Sequence, residues 1–519
     1  MQELKDVASE YGQQFRNLQN ELRENWHKNE EFDGGDCDII VIPSISLDRQ
    51  EMQKVPGAYH YEERHLFSLI RLRNPRTRLI YITSEPLHPM IVDYYLQLLP
   101  GIPFSHARDR LLLFSTYDAS PKSLTQKILE RPRLMQRIRS SVRPRQSYMV
   151  CYNSTPLERE LSVKLGIPLW ASDPDLLYWG TKSGSRQIFE EAGVPYPDGS
   201  ELVWNAADLA AAAAQLWERQ PHLQRIVIKL NEGFSGEGNA ILELKSIAPT
   251  ALAEKAKVIQ DCFPNLRFQA AGENWENFSS RIPELGAIAE AFIEGKEKRS
   301  PSVQGRIVPS GEVEILSTHD QILGGPDGQI FLGCRFPADE SYRIALQEFG
   351  RKIGRNLAEK GALEQFGIDY VAVRQDDGLW DIQAIEINLR KGGTTHPFMA
   401  LKLLTNGRYE GATGAFYSQQ GRPKYYVASD NLKKERYRGL LPNDLMDIIA
   451  DNQLHFDSGT ETGTVFHLMG CLSEYGKLGL TSIGNSSQEA EEIYNKVVKV
   501  LDRETASDLR FEGGSSQSA

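Results

Sequence analysis

One stretch decides the fold of this chain: AIEINLRKGG, residues 384–393. Because successive residues of a strand face opposite sides, Glu386, Asn388 and Arg390 are expected to share one face. The apolar residues between them are expected to pack on the other face: Ile385, Ile387 and Leu389. A carboxylate and an amide oxygen two residues apart can bind one hard cation, and a guanidinium beside them can bind an anion. An ordinary half-buried strand is the alternative interpretation.

Composition places the chain among multidomain globular proteins. Its 519 residues, 40% hydrophobic and 25% charged, suffice for three or four packed domains. A net charge of -11 argues against nucleic acid as the main partner, which would require a basic surface. No apolar window approaches the length of a membrane span, and the five cysteines are too scattered for disulfide or metal-binding pairs. We therefore expect a cytoplasmic protein with neither a membrane nor a nucleic-acid partner.

The first 175 residues alternate apolar strands with helical stretches, a pattern typical of parallel βαβ units. Such sheets bind ligands at the carboxyl ends of their strands, but no dinucleotide-binding glycine motif is present here. Apolar residues at spacings of three and four predict an amphipathic helix over residues 3–28, which packs on the chain itself or on a partner chain. The expected strands are 38–43, 78–83, 110–115 and 146–152.

A glycine-rich segment follows a strand in the middle of the chain. The strand 225–230 contains Lys229 and leads into NEGFSGEG, residues 231–238, before a returning strand at 240–244. Glycine has no Cβ, so such a loop can lay backbone N–H groups against phosphate oxygens. Lys182, which opens an earlier helix, supplies a second ammonium group to neutralise a polyphosphate. A solvated hairpin with two surface lysines is the alternative.

Further acids lie on two other strands. The segment EAFIEGKE, residues 290–297, suits a purine edge and ribose hydroxyls, unless it is only an edge strand and a turn. Asp369 begins the expected strand 369–374 and would lie beside Glu386 if that strand pairs with 383–389. A divalent cation would relieve the repulsion between the two carboxylates. His396 is expected to be a hydrogen-bonded loop histidine, or else to approach a substrate.

The order of these motifs resembles the ATP-grasp superfamily, and E-x-N-x-R before a glycine pair is the most specific match. The resemblance implies an α/β protein: a Rossmann-like pre-ATP-grasp domain, a two-subdomain ATP-grasp fold of α+β type, and a smaller C-terminal region. It also implies that a carboxylate is activated by ATP as an acyl phosphate and then attacked by an amine. Residues 400–510, with GTVFHLMG at 463–470, resemble the C-terminal region of pheganomycin-type peptide ligases.

The resemblance implies a role for each matching residue. Lys182 and Lys229 match the lysines that hold the ATP phosphates, and Lys229 is counted with the catalytic residues. Arg390 matches the catalytic arginine that faces the acyl phosphate. The Mg²⁺ ligands, with Mn²⁺ as an alternative ion, are Asp369, Glu386 and Asn388. The loop over the phosphates comprises Glu232, Gly233, Ser235, Gly236 and Gly238. The adenine hinge comprises Glu290, Ala291, Phe292 and Ile293, with Glu297 in the ribose-binding place.

The predicted function is an ATP- and Mg²⁺-dependent ligase that joins small carboxylate and amine substrates, an amino acid or a short peptide. An ATP-binding regulatory protein without ligation activity and a kinase-like phosphotransferase are the alternatives. Homodimerisation is expected from the family alone. The predicted domains are the N-terminal helix 1–30, the pre-ATP-grasp domain 31–175, the lid 176–285, the core 286–400, the C-terminal domain 401–510 and a disordered tail 511–519.

Overall fold

The computed structural model describes residues 2–25, 36–46, 57–233, 238–245, 252–270, 272–324, 328 and 330–506, without the side chains of 2–9 and 253. Ser235, Gly236 and the predicted tail 511–519 lie outside the described residues. The chain forms two compact units. The first contains residues 1–171, 393–410 and 415–519, and the second contains residues 172–392 and 411–414. The predicted six-part division of the sequence stays a prediction.

The first unit begins with a parallel four-stranded sheet, as the sequence predicts. Its order is β3-β2-β1-β4, and all three pairings are parallel. The strands are β1 (Asp38–Ile42), β2 (Arg78–Thr83), β3 (Leu111–Ser115) and β4 (Ser147–Cys151). The helices of this part are α1 (Gln2–Asn25), a 3-10 helix (Ala58–Arg73), α2 (Pro89–Gln97), α3 (Phe104–Arg108), α4 (Leu124–Leu129), α5 (Pro132–Ser141) and α6 (Pro156–Leu165).

Helix α1 packs on its own unit. Phe15 is fully buried in one hydrophobic cluster with Ile40 and Ile80 of the parallel sheet. Gln19 donates from Nε2 to the carbonyl of Ala171 at 2.7 Å. The prediction that this helix docks on its own chain is therefore confirmed, with the helix ending at Asn25 among the described residues.

The second unit contains an antiparallel sheet in the order β7-β6-β5-β8. Strands β5 and β6 form the predicted hairpin, with Lys229 opposite Asn239. Alanines of the helix after residue 205 pack closely in the same core. The strands are β5 (Arg225–Leu230), β6 (Asn239–Glu243), β7 (Arg267–Phe268) and β8 (Ala287–Ala291). The helices are α7 (Lys182–Ala192), α8 (Ala206–Arg219), α9 (Leu252–Cys262) and α10 (Trp275–Leu285), with 3-10 helices at Pro174–Gly180 and Phe263–Asn265.

A second antiparallel sheet of this unit runs in the order β14-β13-β10-β11-β12, with β9 beside β13. Helix α11 (Arg343–Glu359) lies against it, and a Cβ on Gly354 would be 2.8 Å from the ring of Phe366. A glycine is thus needed there for the helix to approach the sheet. The strands are β9 (Lys298–Arg299), β10 (Pro301–Ile307), β11 (Val313–Gly324), β12 (Ile330–Phe336), β13 (Glu364–Arg374) and β14 (Trp380–Asn388).

A β-bulge interrupts the strand that carries the E-x-N-x-R sequence. Asp369 pairs with Glu386, but the next residue, Tyr370, pairs with Ala384. Ile385 is therefore the extra residue and is only half-buried, so the predicted alternation is wrong at this position. Two further expectations are corrected: Asp369 lies inside a strand that begins at Glu364, and Arg390 lies beyond the last strand residue, Asn388.

The later segments of the first unit add an antiparallel β17-β19-β18 arrangement. His396 belongs to a helix and is buried, so its assignment to a loop is wrong. Among the described helices, none has the length and apolar composition needed to cross a bilayer. The strands are β15 (Arg408–Glu410), β16 (Ala415–Tyr417), β17 (Tyr425–Lys433), β18 (Gly463–His467) and β19 (Lys477–Gly484). The helices are α12 (Thr395–Thr405), a 3-10 helix (Glu435–Tyr437), α13 (Pro442–Asp451), α14 (Cys471–Tyr475) and α15 (Ser487–Glu504).

Candidate active site

The start of helix α7 is fixed to the end of strand β5. Thr181 caps the helix, because its Oγ1 accepts from the N–H of Gly184 at 3.1 Å. The carbonyl of Asn231 accepts from the N–H of Lys182 at 3.0 Å, and its Oδ1 accepts from the N–H of Ser183 at 2.9 Å. The first N–H groups of a helix have no partner within it, so these bonds hold Lys182 beside the glycine-rich segment.

Lys182 makes an ion pair with Glu386 of the E-x-N-x-R strand. Its Nζ lies 2.6 Å from Oε1 of Glu386, and the lysine side chain is only 7% exposed. The N–H of Ile387 donates to Oγ of Ser185 at 3.0 Å, which docks the same helix on strand β14. The structure therefore brings together two predicted site residues that are about two hundred positions apart in sequence.

Lys229 belongs to a second cluster, with Glu290 and Arg186. Its Nζ binds Oε1 of Glu290, and Nη1 of Arg186 lies 3.1 Å from Oε2 of the same carboxylate. Lys229 and Glu290 are both buried, on adjacent strands β5 and β8. A buried charge is costly without a partner, so the two cations account for a carboxylate at this depth.

Asp369 and Glu386 form a pair of carboxylates on neighbouring strands. Gln321 donates from Nε2 to Oδ1 of Asp369 at 2.6 Å, and Asn388 donates from Nδ2 to Oδ2 at 3.3 Å. Burial and the nearby Glu386 carboxylate raise the pKa of Asp369 to about 6, although Gln321 and the charges of Arg390 and Lys182 oppose that change. A cation bound beside Asp369 would favour the ionised form of its carboxyl group.

This donor set fits a hard divalent cation. Asp369 and Glu386 supply carboxylate oxygens, and rotation of the Asn388 side-chain amide would present its oxygen as a third ligand. Oxygen donors of this kind suit Mg²⁺, which retains part of its shell for water or phosphate. Like charges on adjacent strands are unfavourable unless something compensates them.

Arg390 follows strand β14, and the glycine-rich segment is described only at its two ends. Arg390 donates from Nη1 to the carbonyl of Lys391 at 3.2 Å, just past the end of strand β14. Glu232 and Gly233 are exposed. Gly238 is buried with a φ of 78°, a conformation that favours glycine, and its carbonyl accepts from Leu230 at 2.8 Å. A backbone hydrogen bond thus joins the strand before the predicted phosphate loop to the residue that ends it.

The predicted adenine hinge is partly used by the fold itself. The N–H of Ala291 donates to the carbonyl of Asp198 at 2.8 Å, and that of Phe292 to Arg225 at 3.3 Å. The Phe292 ring lies 3.8 Å from the Arg225 guanidinium and 4.4 Å from the Lys298 ammonium. Ile293 accepts from Lys298 Nζ at 3.5 Å. Glu297 pairs with Arg374 at 3.3 Å and with Arg299 at 3.5 Å.

Sequence reasoning missed four residues that orient this site. Helical spacing places Arg186 one turn after Lys182, so its participation was readable from the sequence. Nothing in the sequence indicates that Gln321 of strand β11 reaches Asp369, because that contact depends on strand order. The missed residues are Ser185, Arg186, Asn231 and Gln321.

Known proteins resemble both this region and the whole chain. A family model described as "IQCH-like, ATP-grasp" matches residues 176–270 and 262–410, and one for the "PGM1 C-terminal domain" matches residues 444–497. The L-propargylglycine--L-glutamate ligase of Streptantibioticus cattleyicolor is 31% identical over 480 residues, which cover 90% of this chain and 94% of that protein. The chain belongs to the ATP-grasp family of ligases.

Other similar proteins share less sequence identity with this chain. The IQ motif-containing protein H of Danio rerio is 22% identical over 412 residues, covering 71% of this ligase and 39% of that protein. The biotin carboxylase of Campylobacter jejuni superposes with a TM-score of 0.53 at 13% identity, covering 87% of this chain and 88% of the other. The biotin carboxylase domain of the Hydrogenobacter thermophilus 2-oxoglutarate carboxylase also gives 0.53, at 12% identity and 91% and 94% coverage. These structures support the α/β ATP-grasp fold.

Proposed function

We propose that this ligase uses ATP and Mg²⁺ to activate a small-molecule carboxylate as an acyl phosphate and joins it to an amine in a peptide bond. The observation that carries the proposal is the Asp369 and Glu386 pair, which adjoins a lysine held by one of its own carboxylates. Two carboxylates can bind a divalent cation, and an ammonium group can bind the oxygens of a polyphosphate that is coordinated to that cation. The relative at 31% identity is named as a ligase of two amino acids, which supports amino acids or short peptides as substrates.

The lysines would hold the phosphates. In the structure Lys182 is paired with Glu386 and Lys229 with Glu290, so each lysine side chain is already positioned by a carboxylate. Lys182 would exchange Glu386 for a phosphate oxygen when that carboxylate takes up the cation. Lys229 would act in the same way from strand β5, while Arg186 keeps Glu290 neutralised. Charge that moves onto the phosphates would meet fixed positive groups.

Asp369, Glu386 and Asn388 would hold the metal ion, and Mn²⁺ would substitute for Mg²⁺ with the same oxygen donors. When bound, the ion supplies a hard positive charge beside the phosphoryl oxygens. Arg390 would bind the substrate carboxylate and then its phosphate, since a guanidinium matches both groups. The segment that contains Glu232, Gly233, Ser235, Gly236 and Gly238 would cover the phosphates and exclude water from the acyl phosphate.

The nucleoside would lie along residues 290–293, with Glu297 near the ribose. The Phe292 ring and the backbone of Ile293 are the groups we assign to the base. Arg299 and Arg374 would release the Glu297 carboxylate for ribose hydroxyls. We further propose a cytoplasmic location, which agrees with five cysteines that form no disulfide bond among the described residues. A homodimer is proposed from the family alone.

A coupled ADP-release assay tests the function. Purified protein is incubated with ATP, Mg²⁺ and pairs of amino acids or short peptides, and products are identified by mass spectrometry. We expect ADP only when both a carboxylate and an amine are present, together with a product lighter than the two substrates by one water. ADP release that is independent of both substrates contradicts ligation.

Two variants connect the assay to the site. Glu386→Gln should lose ATP turnover and its dependence on metal, because the neutral amide binds Mg²⁺ poorly. Glu314→Gln is the matched control: it lies on strand β11 of the same sheet, pairs with Arg306 and is 39% exposed. If Glu386→Gln retains both turnover and metal dependence, the assignment of the site is wrong.

The same assay separates the alternatives. A regulatory protein that only binds ATP would show nucleotide binding but no substrate-dependent ADP. A kinase-like phosphotransferase would accumulate a stable phosphorylated product in the absence of amine. The L-propargylglycine--L-glutamate ligase, which matches over 90% of this chain, favours ligation over both alternatives.

A further inference from the structure

Three buried side chains of the first unit meet at one point, and the ligase site of the second unit does not use them. His396 lies in helix α12, Asp430 in strand β17 and His467 in strand β18. Nε2 of His396 is 2.9 Å from Nε2 of His467 and 3.1 Å from Oδ1 of Asp430. Nε2 of His467 is 2.8 Å from the same Oδ1. All three side chains are at most 8% exposed.

While Asp430 pairs as a carboxylate with Arg64, hydrogen bonds alone do not satisfy this triangle. If one imidazole nitrogen carries a proton, it can bond a neighbour, but the other nitrogen and Oδ1 then face each other with lone pairs. If both nitrogens carry protons, both can donate to Asp430, but two N–H donors then lie 2.9 Å apart. Each arrangement leaves one repulsive contact among buried polar atoms, which is costly away from water.

We propose that His396, Asp430 and His467 bind a divalent transition-metal ion. An ion placed about 2.1 Å from each donor atom resolves all three contacts, because each lone pair can then bind the cation instead of facing another lone pair. With donors 2.8 to 3.1 Å apart, the angles at such an ion are close to 90°, as on one face of an octahedron. Two imidazoles and one carboxylate suit Zn²⁺, Fe²⁺ or Co²⁺, whereas Mg²⁺ prefers oxygen ligands.

The backbone is shaped to bring His467 to this point. Strand β19 lies between β17 and β18, so the imidazole of His467 must cross it to reach Asp430. It does so over Gly479, its pairing partner, where an added Cβ would lie 2.2 Å from the ring. Asp430 lies in a register irregularity of β17 between Ser429 and Leu432. Gly479 below the His467 ring and the bulge at Asp430 thus both allow these two side chains to meet.

The groups around the cluster keep its donors ready for a cation. Arg64 binds the other oxygen of Asp430 at 3.0 Å, and its guanidinium lies 4.7 Å from the Tyr61 ring and 5.0 Å from the Tyr152 ring. An outer partner of this kind orients a metal-binding carboxylate.

Metal analysis of the full chain tests the proposal. Protein purified without chelator or affinity metal is analysed by inductively coupled plasma mass spectrometry. A chelated sample is then dialysed against Co²⁺ with excess Mg²⁺, which occupies the oxygen-donor site. We expect about one Zn²⁺, Fe²⁺ or Co²⁺ ion per chain and visible d–d absorption from Co²⁺ bound to imidazole nitrogen.

Three variants locate the ion. His467→Ala removes one donor, and Gly479→Ala keeps every donor but displaces the His467 ring; both should lose the metal and the Co²⁺ spectrum. His222→Ala is the matched control, because it removes an exposed histidine outside the cluster and should retain both. Glu386→Gln should also retain both, which separates this ion from the metal of the ligase site.

Either of two results would overturn the proposal. The first is wild-type protein that neither contains a transition metal nor takes up Co²⁺. The second is a folded His467→Ala or Gly479→Ala protein, by circular dichroism, that retains a full complement of metal and the same spectrum. If His467→Ala does not fold, uptake by chelated wild-type protein and the Gly479→Ala comparison decide the question.

Discussion

Each proposed phosphate-binding lysine is held by a carboxylate, but the two pairs differ in burial. Lys229 and Glu290 are 6% and 4% exposed, whereas Glu386, the partner of Lys182, is 23% exposed. A carboxylate that loses its cation can be hydrated only where water reaches it. Removing the lysine should therefore lower the free energy of unfolding more at Lys229 than at Lys182.

Lys229→Met should destabilise the protein more than Lys182→Met. The first change leaves a buried carboxylate with Arg186 alone and should cost about 3 kcal/mol. The second leaves a partly hydrated carboxylate and should cost about 1 kcal/mol or less. Urea unfolding measures both. Each variant should also raise the KM for ATP by about tenfold, since a hydrogen bond to a charged group contributes roughly 1.5 kcal/mol or more. Equal destabilisation by the two changes would contradict this difference in burial.

Glu62 should make stability depend on pH. Its carboxylate is buried and accepts from the N–H and the Oγ of Ser84, each at 2.6 Å. Burial raises the pKa of Glu62 to about 7 although Ser84 and Lys127 oppose this. The folded state therefore binds the proton more tightly than the unfolded state. The stabilisation is complete below the unfolded pKa and is lost as the pH rises through about 7, by at most about 3 kcal/mol.

The measurement is the urea midpoint between pH 5 and 8. Wild-type protein should lose stability across this range, and Glu62→Gln, which cannot ionise, should show a flatter profile. Glu130→Gln is a suitable control, because that acid is 41% exposed and its ion-pair partner Lys122 is 43% exposed. A Glu62→Gln profile as steep as the wild-type one would show that another group titrates.

At the scale of elements, the position of helix α7 depends on a close contact with the 3-10 helix Pro174–Gly180. A Cβ on Gly184 would lie 2.0 Å from the carbonyl oxygen of Tyr178. Lys182 lies in the same helical turn as Gly184, so any displacement of this turn moves the ammonium group away from Glu386. Packing between two elements thus determines where a charged group lies.

Gly184→Ala should therefore weaken ATP binding as well as stability. Overpacking of this kind costs about 1 to 3 kcal/mol, and the KM for ATP should rise with it. Gly12→Ala is the matched control in helix α1, where the added Cβ meets, among the described side chains, only Nη1 of Arg16, at 3.5 Å. That change should be neutral or slightly stabilising, because alanine favours helix more than glycine does. If the KM for ATP is unchanged in Gly184→Ala, the start of helix α7 does not contribute to the nucleotide site.

At the scale of the whole molecule, nucleotide and metal should stabilise the fold together. The proposed metal ligands come from strands β13 and β14, and the lysines come from helix α7 and strand β5. A ligand that contacts all of these elements in the folded state is lost on unfolding, so its binding energy adds to stability. Neither Mg²⁺ nor nucleotide alone would connect all of them.

Thermal unfolding measures this coupling. A non-hydrolysable ATP analogue with Mg²⁺, at a hundred times its Kd, should add about 2.7 kcal/mol of stability. EDTA should remove most of the shift, and Glu386→Gln should show only the metal-independent part. A shift of equal size with and without Mg²⁺ would contradict the proposed role of the carboxylate pair.

Much of this protein was readable from its sequence. Short apolar strands between helical stretches predicted the parallel sheet, and the pattern around 225–244 predicted a hairpin, because side-chain periodicity and glycine are local properties. The order of Lys182, Lys229 and the E-x-N-x-R sequence indicated the ATP-grasp family, which the relatives confirm. These features depend on neighbours in the chain and therefore appear in the sequence.

Only the tertiary structure decided which groups meet. The bulge at Ile385 changes which side of the sheet the following side chains face. Ala384 and Ile387 therefore pack in the same core, although residues three positions apart in a regular strand face opposite sides. Gln321 reaches Asp369 because β10 alone separates strands β11 and β13. His396 and His467 meet at Asp430 only because Gly479 leaves room above an intervening strand. Strand order, register and close approach join residues far apart in sequence, and local periodicity carries no record of them.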